Sequence, residues 1–295
     1  MDSAMPLSRF RQNVVNVLKH VPGAALLFAL VPLLVLGYLG WYYYGAQHID
    51  QALYALRQEN IRIPPQPDWI SANILEEVFN DARLDRISLL DPNANASIAQ
   101  AFEANVWVKF TSRVSKSAGG LVEVDLVYRR PLAMVYWESP DSSPSAEETD
   151  KGFYCVDEDG IVLPTHNFDR EEVLQYFLIY AQGAPAGESG MPYADIRVQQ
   201  ALTLCRFLEN DRVALGLQDI VVDQRPATRG TSPWFLRIFT VDKPPREILW
   251  GHAPDAETPH EPKASEKRQR LIAWLNQAGS RGGPWSIDLT RQAPN

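Results

Sequence analysis

Residues 122–137 read VEVDLVYRRPLAMVYW. In the first part Val122, Val124, Leu126 and Tyr128 fall on one face, with Glu123, Asp125 and Val127 on the other, the period of a half-buried strand. Arg130-Pro131 breaks the run, and an unalternating apolar stretch from Leu132 to Trp137 follows. One strand ending and another starting at an Arg-Pro joint predicts a boundary between two strand-bearing units at residue 131. Upstream, Gly119-Gly120 turns the chain back to a strand in which Val106, Val108 and Phe110 share a face. Earlier still, Ser71 is a candidate helix N-cap ahead of Ile74, Leu75, Val78, Phe79 and Ala82 at helical spacing. A second helix is predicted over 95–104, with Ile98, Ala101 and Phe102 inward, and a strand over Asn60–Ile63 before Pro64-Pro65. Residues 60–131 are thus expected to form a small strand–helix–helix–strand–strand unit.

Downstream, 138–150 (ESPDSSPSAEETD) reads as an exposed loop. Phe153–Val156 and Ile161–Leu163 flank Asp157-Glu-Asp-Gly160, a hairpin turn. Val173, Tyr176, Phe177 and Tyr180 predict a helix over 169–181, and Val198, Ala201, Leu202, Cys205 and Leu208 predict another. Strands are expected at 219–223, 234–241 and 246–250, then a Pro-rich loop over 251–262. A helix follows from Ser265, with Leu271, Ile272, Leu275 and Ala278 inward and Gly279 as its stop, and a last strand runs from Trp285 to Thr290. The fold class is α+β, with a strand-rich mixed distal domain over 132–295.

The N-terminal end differs in charge and hydropathy. Residues 1–44 carry Arg9, Arg11 and Lys19 against Asp2, and the remainder of the chain is net acidic. Gly23 to Tyr44 reads GAALLFALVPLLVLGYLGWYYY without a charge, which predicts a single transmembrane helix over 23–44. Trp41, Tyr42, Tyr43 and Tyr44 are then expected at the membrane interface, with 1–22 as a cytoplasmic tail and 45–59 as a stalk. Residues 45–295 would lie outside the cytoplasmic membrane.

The chain has 295 residues, 45% of them hydrophobic, and a net charge of −8, which argues against nucleic acid as the main partner. With two cysteines there is no Cys₄ metal site. No nucleotide loop, nucleophile elbow or zinc-protease helix motif occurs. His252, Asp255 and His260 lie in a Pro-rich loop and read as solvated residues rather than metal ligands. Lys267, Arg268 and Arg270 read as the solvated face of their helix. Asp157, Glu158 and Asp159 lack the twelve-residue calcium pattern. Cys155 and Cys205 suit buried thiols or a disulfide. No catalytic residue, cofactor, metal or small-molecule substrate is expected. An extracytoplasmic enzyme is the alternative, which would require a cleft of clustered titratable groups.

Several stretches together resemble the bacterial cell-division family FtsQ/DivIB. Asn105-Val-Trp-Val-Lys-Phe110 is similar to that family's "PWV" strand start, and 122–134 to its "ERxP" exit. Cys155-Val-Asp-Glu-Asp-Gly-Ile-Val-Leu-Pro164 resembles its "LVDxDGxVFP" hairpin. Glu247–Gly251 and Trp285–Leu289 resemble its "EVRLG" and "IDLRY" strands. Asn105 stands where the family has Pro, Tyr128 or Arg129 replaces the acidic residue before Arg130, and no Arg-Tyr pair follows Leu289. The resemblance implies a POTRA-like domain over 60–131 and a non-enzymatic scaffold for septal peptidoglycan synthesis, with membrane partners of the FtsB and FtsL type. Another POTRA-type assembly or secretion module is the second reading.

In the closing strand Trp285, Ile287 and Leu289 alternate with Ser286, Asp288 and Thr290. One face is expected to pack and the other to meet solvent. Such a strand is either an ordinary sheet member or an edge for a partner, and the resemblance favours residues 285–290 as the partner-binding segment.

Overall fold

The computed structural model describes residues 24–45, 54–117, 119–138, 151–164, 168–183, 187–224, 233–278 and 285–292. The chain divides into two compact units. One comprises Met1–Arg62, Leu75–Ala99 and Val114–Val124, and the other Ile63–Ile74, Gln100–Arg113 and Asp125–Asn295. It is mixed α/β with one large sheet.

The membrane span expected over 23–44 is corrected. The first helix among the described residues, α1, runs Ala24–Gly40, 17 residues, and the backbone then widens into a π-helical turn over Trp41–Gly45. At a rise of 1.5 Å per residue α1 is about 25 Å long, short of a hydrocarbon core of about 30 Å. Among the described residues no helix is long and apolar enough to cross a membrane. An uninterrupted apolar count does not report where α-geometry ends, and here it ends at Gly40. The interfacial reading of Trp41, Tyr42, Tyr43 and Tyr44 loses its basis with the span. Tyr42 stacks on Tyr38 and meets Tyr43 edge-on.

Between residues 61 and 128 the elements are β1 (Ile61–Arg62), α2 (Ile74–Asp81), α3 (Ala94–Glu103), β2 (Val108–Lys116) and β3 (Val122–Tyr128). They form a three-stranded sheet in the order β1-β3-β2, with β1 parallel to β3. Ile98, Phe102, Val108, Val122, Val124 and Leu126 are buried, as their spacing predicts, whereas Phe110, expected on the Val108 face, is 46% exposed and Ala82, expected inward on α2, is exposed too. Ser71 does not cap α2. Gln66 Oε1 accepts from Ile74 N–H, the first of the helix, at 3.1 Å, while its Nε2 donates to Ala72 O at 2.7 Å.

The large sheet contains β4 (Pro131–Glu138), β5 (Lys151–Asp157), β6 (Val162–Leu163), β7 (Phe177–Tyr180), β8 (Leu217–Gln224), β9 (Trp234–Thr240), β10 (Glu247–Gly251) and β11 (Ser286–Asp288). Their order is β11-β10-β9-β8-β7-β4-β5-β6. The helix expected over 169–181 is corrected: only α4 (Arg170–Val173) is helical, with Asp169 and Glu172 forming a capping box. Phe177–Tyr180 is a central strand, parallel to both β4 and β8. Phe177, Leu178 and Ile179 are all buried, as in a strand covered on two faces, where alternation vanishes.

One sheet face packs against α5 (Ile196–Leu208), whose Val198, Ala201, Leu202, Cys205 and Leu208 are buried. Asp195 caps α5 by accepting from Arg197 N–H at 2.8 Å. The short helix α6 (Arg212–Leu215) stops at Gly216, whose φ of +62 admits the left-handed turn into β8. Near the end of the chain, α7 (Ala264–Ala278) adds Leu271 to the same core as Ile248, Trp250 and Leu289. Cys155 and Cys205 are free and buried, and burial pushes both thiols up.

The hairpin turn after β5 is pinned by charge. Asp157, fully buried, accepts from Asp159 and Ile161 N–H and pairs with Arg129 Nη1 at 2.7 Å. Lys109 reaches Glu158 at 2.5 Å and Asp159 at 2.8 Å. Those carboxylates anchor a turn, and among the described residues no group of His, Cys, Asp and Glu is arranged to hold a metal ion.

Candidate functional site

The closing strand lies at one end of the large sheet. β11 pairs only with β10, in parallel, in the register Glu247↔Ser286, Ile248↔Ile287 and Leu249↔Asp288. Glu247 N–H donates to Trp285 O at 2.9 Å, and Leu289 N–H donates to Leu249 O at 3.0 Å. A parallel ladder bonds through alternate residues, so Trp285, Ile287 and Leu289 turn their backbone groups toward β10. Ser286 and Asp288 turn theirs outward. Among the described residues no strand covers that side.

The side chains divide less cleanly than the sequence pattern implies. Leu289 is fully buried and Ile287 packs on the core, as expected for their face. Trp285, placed on the same face, is corrected: it is 56% exposed. It precedes β11 and lies beyond the cover of the core, so its indole gains no partner layer. Ser286 and Asp288 help to line a shallow cavity of about 300 Å³ together with Asp223, Arg237, Glu247 and Leu249. Arg237 is held there by Asp223 and by Glu247, the latter at 2.9 Å. This cross-strand ladder keeps the neighbouring surface polar. Thr290 lies two residues past the end of β11, with its N–H and Oγ1 bonded to Asp288 Oδ1 at 2.9 and 2.6 Å.

Behind the strand is a buried charged group that breaks the expectation of solvated residues at 252–270. Glu261 Oε1 accepts from His252 N–H at 2.9 Å and from Lys267 Nζ at 2.5 Å. Its Oε2 lies 2.5 Å from His252 Nδ1. The side chains of His252, Glu261 and Lys267 are 4%, 4% and 0% exposed. Burial works against the Glu261 carboxylate, but hydrogen bonds from Lys267 and His252 outweigh it and hold its pKa below the usual value. Burial pulls the Lys267 ammonium down, opposed by Glu261. Lys267 also sits over the Trp250 ring, 5.3 Å from its centre. These buried bonds brace the 252–261 loop against α7.

Gly251 makes room for this brace. Its φ is +95, and a Cβ there would lie 2.0 Å from Glu261 Oε1 and 2.8 Å from Thr290 Cγ2. Asp255 and His260 remain exposed and join no cluster. Arg268 is corrected from a free cation to a partner of Asp211, bonded through Nη2 at 2.7 Å. Arg270 donates to Arg291 O at 2.6 Å and to Asp288 O at 3.4 Å. Lys267 carried a usable signal, since it stands one helical repeat before Leu271 on the inward stripe. Glu261 and Arg270 carried none, for their partners come from distant turns.

Neither a family model nor a curated protein matches the chain.

Proposed function

We propose that the chain is a non-enzymatic scaffold that captures an extended segment of a partner protein along β11. The observation that carries this reading is an edge that no strand among the described residues covers, with Ser286 and Asp288 directing backbone groups away from β10. An added strand would pair with those groups, and each bond would net only about 1 kcal/mol, so side-chain contacts must supply much of the affinity. Trp285 is the exposed aromatic nearest to that edge. The resemblance to the FtsQ/DivIB family supports a role in cell division, with FtsB- or FtsL-type proteins as partners in septal peptidoglycan synthesis. On the same basis the sheet is proposed to act outside the cytoplasmic membrane. A phosphatase reporter fused after Asn295 should therefore be active in cells, and an inactive reporter would remove that location.

The test of the edge uses the full chain and the FtsB-type protein of the same genome. Ser286→Pro and Asp288→Pro each remove an outward N–H and set a ring against an added strand. Each variant is expected to stay folded by circular dichroism and to bind at least tenfold more weakly. Folded forms of both variants with unchanged affinity would exclude β11 as the docking edge.

A further inference from the structure

Not all of the outer side of β11 is open. Of the four outward backbone groups in the strand, Asp288 O is taken by Arg270 Nη2 at 3.4 Å. The same guanidinium donates through Nη1 to Arg291 O at 2.6 Å. Thr290 N–H, the next outward donor, is turned inward to the Asp288 carboxylate at 2.9 Å, and Asp288 Oδ2 lies 3.3 Å from Arg291 Nε. The guanidinium comes from α7, which is anchored in the core by Leu271 and by the buried Lys267–Glu261 pair. It is planar, always charged and half-buried, a rigid fork over the C-terminal end of the edge. What stays unpaired among the described residues is Ser286 N–H, Ser286 C=O and Asp288 N–H.

We propose that Arg270 is a stop that sets the register and length of strand addition on β11, an inference that rests on the strand-capture reading above. An incoming strand, parallel or antiparallel, would find three consecutive bonding groups and then the guanidinium where its next N–H should donate. A partner residue with a free amide at that position gains nothing from it, and one with a bulky side chain meets Arg270. The partner class is therefore a short extended segment whose ladder ends beside Asp288, not a long strand running on past Arg291. The same fork protects the end of an exposed edge from unlimited pairing with other chains.

The test measures amide hydrogen exchange and affinity on the full chain, with the FtsB-type protein as probe. In the native protein, binding should slow exchange at Ser286 and Asp288. If it does not, strand capture itself fails, and the stop with it. Given that protection, Arg270→Ala frees Asp288 O. The variant should bind about fivefold more tightly, the equivalent of one net backbone bond, and should protect one further amide of the partner. Arg270→Lys, which lacks the fork, should lie between the two. Unchanged affinity and an unchanged set of protected partner amides in a folded Arg270→Ala protein would overturn the stop. Weaker binding together with faster exchange at Ile287 and Leu289 would also overturn it, because Arg270 would then be only a brace for β11.

Discussion

At one end of the large sheet β6 gives its outer groups to the chain itself. Val162 N–H donates to Met191 O at 2.9 Å, Gly190 N–H donates to Val162 O at 2.8 Å, and Ile161 bridges to Pro192. Val162, Leu163 and Tyr193 are buried there, and Gly187 leaves no room for a side chain against Val162 and Tyr193. At the other end β11 is also short, at three residues against two, yet Ser286 and Trp285 are exposed and among the described residues no strand lies beside its outward groups. Exposed edges invite pairing with other chains, and folds ordinarily cover them. Here the covering device is in use at β6. Among the described residues no second segment pairs with Ser286 at β11, and that, combined with a buried ionic brace behind the strand, is what makes the second edge a candidate for binding.

The largest expected effect comes from unsettling that brace. Gly251→Ala would force Glu261 off its partners and strain a backbone held at φ +95. Breaking a buried ion pair typically costs about 3–5 kcal/mol, and urea unfolding of the full chain should show a loss of that order. A loss below about 1 kcal/mol would mean that Glu261 can rotate away, and that the open edge is not held from behind.

The covered end has its own pin, and removing it should cost less. Asp157→Ala deletes three hydrogen bonds, including the one to Arg129, whose side chain is 18% exposed and so keeps some water. A loss of about 2–4 kcal/mol is expected, with the damage confined to the β5–β6 hairpin in hydrogen exchange. If exchange instead accelerates at β11, the two ends are not independent and the contrast between them fails.

A smaller and pH-dependent effect separates the ends further. The Glu261 carboxyl is held below its ordinary value of 4.5 in the folded chain. Between that lowered value and 4.5 the unfolded chain binds the proton and the folded chain does not, so stability rises with pH there and is lost as pH falls through the window. The contribution is at most about 1.4 kcal/mol per pH unit. Comparing unfolding free energies from pH 5 downward, Glu261→Gln should have the shallower acid slope, whatever its stability at neutral pH. Equal slopes would show that the carboxylate is not stabilised by Lys267 and His252.

Much of this molecule is legible in local pattern. Alternation marks β3, β8 and β9, and the stripe Val198–Leu208 marks α5, because each has one face in the core and one toward solvent. The pattern misleads at Phe177–Tyr180, where burial on both faces removes alternation and leaves a run that reads as either element. It misleads again at 23–44, where composition is uniform while the backbone changes from α to π geometry. For the site, the position of the edge strand was readable from Ile287 and Leu289, and its place at the end of the sheet order among the described residues was not. That depends on strand order, which no local stretch encodes. Arg270 was hidden for the same reason, since its acceptors at Asp288 and Arg291 are set by how α7 lies along β11.

Trp285 gives the smallest expected change in stability and the sharpest division between a packed strand and a binding edge. Its place in the alternation predicts a core residue, for which truncation to Ala would cost about 3–5 kcal/mol. Its observed exposure of 56% removes most of that burial. A surface truncation away from caps, pairs and strained backbone is ordinarily within about 0.5 kcal/mol. Trp285→Ala should therefore leave the unfolding midpoint nearly unchanged. The same indole beside free backbone groups is the kind of aromatic that anchors a partner, so affinity for the FtsB-type probe should fall about tenfold or more. The two measurements pull apart only if Trp285 serves the edge. A large stability loss would return it to the core, and loss of neither would leave β11 dependent on its backbone groups alone, too few at about 1 kcal/mol each to hold a partner.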